Sequence, residues 1–97
     1  MQLRWTVSAL TDRETIFDYI ERDSPKAAIA VDDRIEHQVE ALERFPEMGR
    51  KGRVEQTREL IVQRTPYIVA YCITGDTVRI LRVLHGAQQW PEEISET

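Results

Sequence analysis

RELIVQRTPYIVAYCITGDTVRILRVLHGAQQWP, residues Arg58 to Pro91, decides the fold. Tyr67 to Ile73 is nearly all apolar, as a central strand covered on both faces requires. Thr74-Gly75-Asp76 supplies a tight hairpin turn, and Thr77 to His85 reads as the strand that returns from it. A period of two assigns Val78, Ile80, Arg82 and Leu84 to one face of that strand, and Arg79, Leu81, Val83 and His85 to the other. Upstream, Glu59 to Arg64 reads as a further strand, ended by Thr65-Pro66. Gly86 stops the last strand, and Trp90-Pro91 is expected to fold back on the sheet ahead of an acidic tail.

Working back towards the N-terminus, the pattern turns helical. Ala28, Val31, Ile35, Val39 and Leu42 recur at spacings of three and four and define one apolar face. Ser24 suits the N-cap of that helix and Pro25 its first position. A preceding helix carries Ile16, Phe17 and Ile20, with Thr11 and Glu14 spaced as a capping box at its start. Asp32, Glu36 and Glu40, with His37 beside them, form an acidic stripe expected to face solvent. Gln2 to Val7 alternates as a half-buried strand, and Arg50-Lys51-Gly52-Arg53 is expected to be a mobile basic loop. The order is β-α-α-β-β-β: an α+β domain with a helical hairpin packed on a mainly antiparallel four-stranded sheet. At 97 residues it forms a single domain, residues 1–97.

Composition narrows the function. There is no apolar run long enough to span a membrane, and MQLRWTVSAL lacks the apolar core of a signal peptide. Cys72 is the only cysteine, so no internal disulfide can form, and a reducing cytoplasm is expected. Two isolated histidines and one cysteine make no ligand set, so neither a metal nor a cofactor is expected. No phosphate-cradling glycine motif occurs. The net charge of −4 is unevenly spread: residues 1–49 carry −5, residues 50–85 carry +4 and the remainder −3. A basic sheet half beside an acidic helical half suggests a surface for an oppositely charged partner.

The order of elements, with TREL at Thr57–Leu60, PYIVAY at Pro66–Tyr71 and ILRVLHGAQQWP at Ile80–Pro91, resembles the RelE/ParE superfamily of bacterial toxins. DSP at Asp23–Pro25 and FPEMGRKGR at Phe45–Arg53 add to the resemblance, which covers essentially the whole chain. It implies the toxin of a type II toxin–antitoxin pair, with growth inhibition, plasmid stabilisation, a silencing antitoxin and a higher-order toxin–antitoxin complex as expectations. One branch of the superfamily cuts messenger RNA on the ribosome; the other blocks DNA gyrase.

RNA cleavage by 2′-hydroxyl attack needs a base, an acid and cations set against the phosphate. RelE-like nucleases place an arginine after the tyrosine of the motif that here reads PYIVAY, which falls on Ile68; their upstream basic positions fall on Glu59 and Ile61. The residues left for such a mechanism are His85, Arg58, Arg64 and Arg82. A pI near 5.2 also suits ribosome binding poorly. The resemblance therefore favours a ParE-like gyrase inhibitor, with mRNA cleavage on the ribosome as the alternative. Arg53, Arg58, Arg79, Arg82 and Trp90, with His85 near them, are the expected partner-binding residues, chosen because arginine and aromatic side chains dominate interfaces.

Overall fold

The computed structural model describes residues 1–95. Strand β1 (Gln2–Trp5) leads into helix α1 (Val7–Glu21), helix α2 (Pro25–Glu40) and a short 3-10 turn (Ala41–Glu43). Strands β2 (Arg50–Lys51), β3 (Arg58–Ile61), β4 (Tyr67–Thr74) and β5 (Thr77–His85) complete the chain. The sheet order is β1-β5-β4-β3-β2. β1 runs parallel to β5, because the helical hairpin carries the chain across the sheet between them; the other pairs are antiparallel.

The helices begin where hydroxyls meet free amides. Ser24 Oγ accepts from the Ala27 amide at 3.1 Å and Pro25 follows it, as the sequence indicates. The first helix departs from expectation. Its N-cap is Thr6, not Thr11: Thr6 Oγ1 accepts from the Ala9 amide at 3.1 Å and donates to the Leu81 carbonyl at 3.0 Å. The Thr6 amide still pairs with the Ile80 carbonyl, so strand passes to helix without a loop. Thr11 lies inside α1, and its capping box does not form.

α2 and the 3-10 turn that follows it present the expected face. Ile35, Val39 and Leu42 are fully buried and meet Ala9 together with Val69, Tyr71, Val78, Ile80 and Val83 from the sheet. Each such aliphatic side chain contributes about 1.5–3 kcal/mol by leaving water. The two helices are also clamped electrostatically. Arg13 of α1 donates to both Asp32 oxygens at 2.9 and 3.0 Å, reaches Glu36 at 3.5 Å and stacks 4.7 Å from the Trp5 ring centroid. Burial opposes the charge on Arg13, but Asp32 and then Glu36 outweigh it and raise its pKa. The acidic stripe is therefore part of the hairpin's packing rather than wholly solvated.

β4 is the central strand, and Tyr67 through Cys72 are all buried. The β4–β5 hairpin closes at Gly75, whose φ of +60° is the left-handed conformation that glycine adopts without strain. Two features correct the expected sheet. It has five strands, because Arg50 and Lys51 pair with Glu59 and Arg58 instead of forming a mobile loop. And β5 does not alternate throughout. Ala70 pairs with Arg82 but Tyr71 with Ile80, so Leu81 is an extra residue in a β-bulge. Beyond it the faces exchange: Val83 joins Val78 and Ile80 in the helix-side core, while Arg82 lies opposite Ala70 on the other face.

Candidate partner-binding surface

The face of the sheet turned away from the helices can be assembled row by row from the register. Glu59, Ala70 and Arg82 form one row, and Ile61, Ile68 and Leu84 the next towards the β3–β4 turn. In the other direction Cys72 faces Arg79, which is paired in turn with Arg4 on β1. The bulge thus brings Arg79 and Arg82 to one face, whereas strict alternation separates them.

Most of the cations near this face are already paired. Glu59 is only 3% exposed and gathers the short basic segment around itself. Its Oε1 accepts from Arg50 at 3.0 and 3.3 Å, and its Oε2 accepts from the Arg53 amide at 2.8 Å and Arg53 Nε at 3.1 Å. Burial pushes the Glu59 carboxyl up, but the hydrogen bonds from Arg53 and Arg50 outweigh it and hold the pKa below the ordinary value of 4.5. The Arg53 guanidinium in turn lies 3.8 Å from the Trp90 ring centroid, and Trp90 Nε1 donates to the His85 carbonyl at 3.2 Å. Trp90 therefore folds back on the sheet as expected, with a guanidinium beneath it. Past Trp90, Glu92, Glu93 and Ile94 line a hollow floored by Cys72 and Leu81.

Arg82 is held by α1. Its Nε and a terminal nitrogen donate to the two Asp12 oxygens at 2.7 and 3.0 Å, a bidentate pair that raises the Arg82 pKa. Asp12 also accepts from the Val83 amide at 2.8 Å, so one carboxylate satisfies the β5 backbone just beyond the bulge. Arg4 and Arg79, by contrast, make no ion pair among the described residues.

Arg58 lies on the opposite face, beside Tyr71. It donates to the carbonyls of Gly49 at 2.9 Å and Glu47 at 3.3 Å. Tyr71 Oη donates to the Pro46 carbonyl at 2.7 Å and accepts from the Gly49 amide at 2.9 Å. Burial raises the Tyr71 pKa, so the phenol keeps the proton that it donates. Gly49 is required here: a Cβ would sit 2.6 Å from Tyr71 Oη. Arg64 occupies the β3–β4 turn with φ +64° and, with Arg34 of α2, lines a hollow of about 680 Å³ that includes none of Arg53, Arg58, Arg79 and Arg82.

His85 pairs with Tyr67, its ring 5.7 Å from the tyrosine ring at an edge-on angle of 86°. Its Nδ1 accepts from the Ala87 amide at 3.0 Å, which commits that nitrogen to the turn after β5. The four residues named for RNA cleavage are thus divided. His85 lies beside Tyr67 and Arg58 beside Tyr71, about 13 Å apart along the strand at the usual rise per residue. Arg82 is bound to α1, and Arg64 sits in a turn. Of the expected partner-binding residues, Arg53 and Trp90 form one unit, Arg79 and Arg82 share its face, and Arg58 does not. The partners Asp12 and Glu59 were not legible beforehand.

Comparisons with known proteins agree on what this scaffold is. The family described as ParE toxin of type II toxin–antitoxin system, parDE, matches residues 3–90. Y4kP, a toxin homologue from Sinorhizobium fredii, is 47% identical over 91 residues, covering 94% of each chain. Toxin RelE2 of Caulobacter vibrioides is 37% identical over 87 residues, covering 90% of this chain and 97% of the relative. Among solved structures, a chain of the chromosomal ParDE TA system from P. aeruginosa matches with a TM-score of 0.79 and 30% identity, over 88% of this chain and 95% of that one. With the match running from β1 to Trp90, this chain belongs to the ParE toxin family of type II toxin–antitoxin systems.

Proposed function

We propose that this toxin acts by inhibiting DNA gyrase, not by cutting RNA, and that a cognate antitoxin neutralises it. The observation that carries this reading is Glu59. A phosphodiester cleaver needs unpaired cations facing the scissile phosphate, because the transition state gathers negative charge there. On β3 of the open face, next to the central strand, this chain places a buried carboxylate that binds two arginines of its own. The adjacent row, Ile61, Ile68 and Leu84, is apolar, and it includes two of the positions where RelE-like nucleases carry basic residues. His85 has no cation beside it in register, and its Nδ1 is held by the backbone.

Membership in a type II family carries with it an antitoxin partner. Arg4 and Arg79, adjacent and without an ion pair among the described residues, suit carboxylates of that partner, as do the rims of the Arg53–Trp90 unit. Arg82 and Arg58 act chiefly inside the fold. No helix among the described residues is long and apolar enough to cross a membrane.

The relative named Toxin RelE2 keeps mRNA cleavage as the second reading. Inducible expression separates the two. DNA synthesis and translation are followed after induction without antitoxin: the gyrase reading expects DNA synthesis to stop first. Translation arrest that precedes it, with new transcript ends appearing, contradicts that reading.

A further inference from the structure

We infer that the acidic end of the chain, from Glu92 onward, is a built-in counter-ion strap for Arg4 and Arg79, and that carboxylates of the antitoxin displace it. Only the displacement rests on the antitoxin contact proposed above; the strap stands without it.

Charge on this part of the open face is sorted by sign. Arg4 and Arg79 are partners on neighbouring strands and make no ion pair among the described residues. Two like charges so placed repel each other unless opposite charge stands near. The hollow past Trp90, about 540 Å³, is lined by Glu55, Glu92 and Glu93, and no Lys or Arg among the described residues lines it. These three carboxylates likewise make no ion pair among the described residues. Asp76, in the β4–β5 turn, instead accepts from Thr77 Oγ1 at 3.2 Å.

The floor of the hollow joins the two sets. Cys72 is the cross-strand partner of Arg79, and Leu81 follows Arg79 by two positions, so both floor residues are its neighbours. Attraction carries over such a step, because physiological salt screens charges only beyond about 8 Å. The tail is also held in place. Trp90 stacks on Arg53 and donates to the His85 carbonyl, and half-buried Ile94 lines the same hollow as Leu81. Beyond Arg82 the chain has no Lys or Arg, and Glu96, outside the described residues, adds a third carboxylate to this end. A tethered segment competes at high effective concentration, so the chain itself supplies the first occupant beside these cations.

The strap is tested with a Glu92→Gln/Glu93→Gln/Glu96→Gln variant of the full chain. Heparin is the probe, since it carries dense negative charge and no base to be read. Affinity at low salt should rise about fivefold or more as the cations regain access to a polyanion. A Glu14→Gln/Asp18→Asn/Glu21→Gln variant makes the same change in net charge at exposed positions of α1, and should gain less than about twofold. In an Arg4→Gln/Arg79→Gln background the gain from the tail should vanish. Equal gains from the tail and helix variants, or a tail gain that survives loss of both arginines, overturns the strap. Ile94→Ser leaves the net charge untouched and should give a smaller gain of the same sign; no gain overturns the part assigned to Ile94 as anchor. Thermal melts check that every variant is folded. Stopped-flow mixing with the cognate antitoxin reads the displacement. The tail variant should associate about threefold faster or more, with the difference shrinking in high salt. An unchanged rate, with the heparin results as expected, overturns the displacement and leaves the strap standing.

Discussion

On the helix side of the sheet the centre is apolar, and polar groups sit towards its two ends, Tyr67 with His85 at one and, at the other, Tyr71 and Arg58, which tie down the loop before β2. On the open side the arrangement is reversed: a carboxylate 3% exposed sits in mid-strand, and two half-exposed guanidinium groups close over it. The helix side is stabilised by burial, which tolerates no unpaired charge. The open side is covered by a short tail and two arginines, and there an ion cluster does the sealing. The difference teaches that a count of basic residues overstates what a surface offers. Of the arginines in the basic half, Arg50, Arg53 and Arg82 are consumed by Glu59 and Asp12, and Arg58 by backbone carbonyls.

The largest expected effect comes from stripping Glu59 of its partners. An Arg50→Ala/Arg53→Ala variant leaves a buried carboxylate with only the Arg53 amide, and should lose about 3 kcal/mol or more of stability at neutral pH. Its pH dependence should also change sign. In the wild type the Glu59 pKa is depressed, so its contribution is present above the unfolded value and is lost as pH falls through the folded one. In the variant burial dominates and raises the pKa, so stability should instead fall as pH rises through the carboxylate range. Urea melts between acidic and neutral pH read both slopes; parallel slopes would break the contrast drawn between the two faces.

Next is Tyr71→Phe. Losing the hydroxyl orphans the Gly49 amide and the Pro46 carbonyl, for about 1–3 kcal/mol. Hydrogen exchange at Gly49 should accelerate well before exchange in β4 does. Equal acceleration in both would mean that the hydroxyl supports the core, not the loop. The smallest effect locates the cap of α1. Thr6→Ala should cost about 1–2 kcal/mol, because its hydroxyl serves two backbone groups, and Thr11→Ala should stay within about 0.5 kcal/mol. Thermal melts of the two variants decide it.

The same contrast explains what the sequence could reveal. The bounds of β5 are legible, and so is the apolar face of α2, because local periodicity, the Thr74-Gly75-Asp76 turn and the Ser24-Pro25 start leave their mark on neighbouring residues. The bulge at Leu81 leaves none: an apolar residue fits either face, and only pairing with β4 reveals the extra position. Thr11 with Glu14 has the better capping spelling, yet Thr6 wins because β1 delivers it to β5 with its amide already bonded. β2 is two residues long, too short for any periodicity. At the candidate site, the residue types were visible but their partners were not. Asp12 and Arg82 stand 70 positions apart, and nothing local connects a helix aspartate with a strand arginine. Glu59 could be seen to occupy a place where a nuclease carries a cation; that it neutralises Arg50 and Arg53 emerged only from the fold.

The most direct measurement is made on purified components. Toxin free of antitoxin is titrated against gyrase in a supercoiling assay, and in parallel into a translating extract whose transcripts are mapped for new ends. A face sealed by Glu59 and lined by Ile61, Ile68 and Leu84 predicts that supercoiling stops while the transcripts stay whole. Undiminished supercoiling at excess toxin, with transcripts cut on the ribosome, would contradict it.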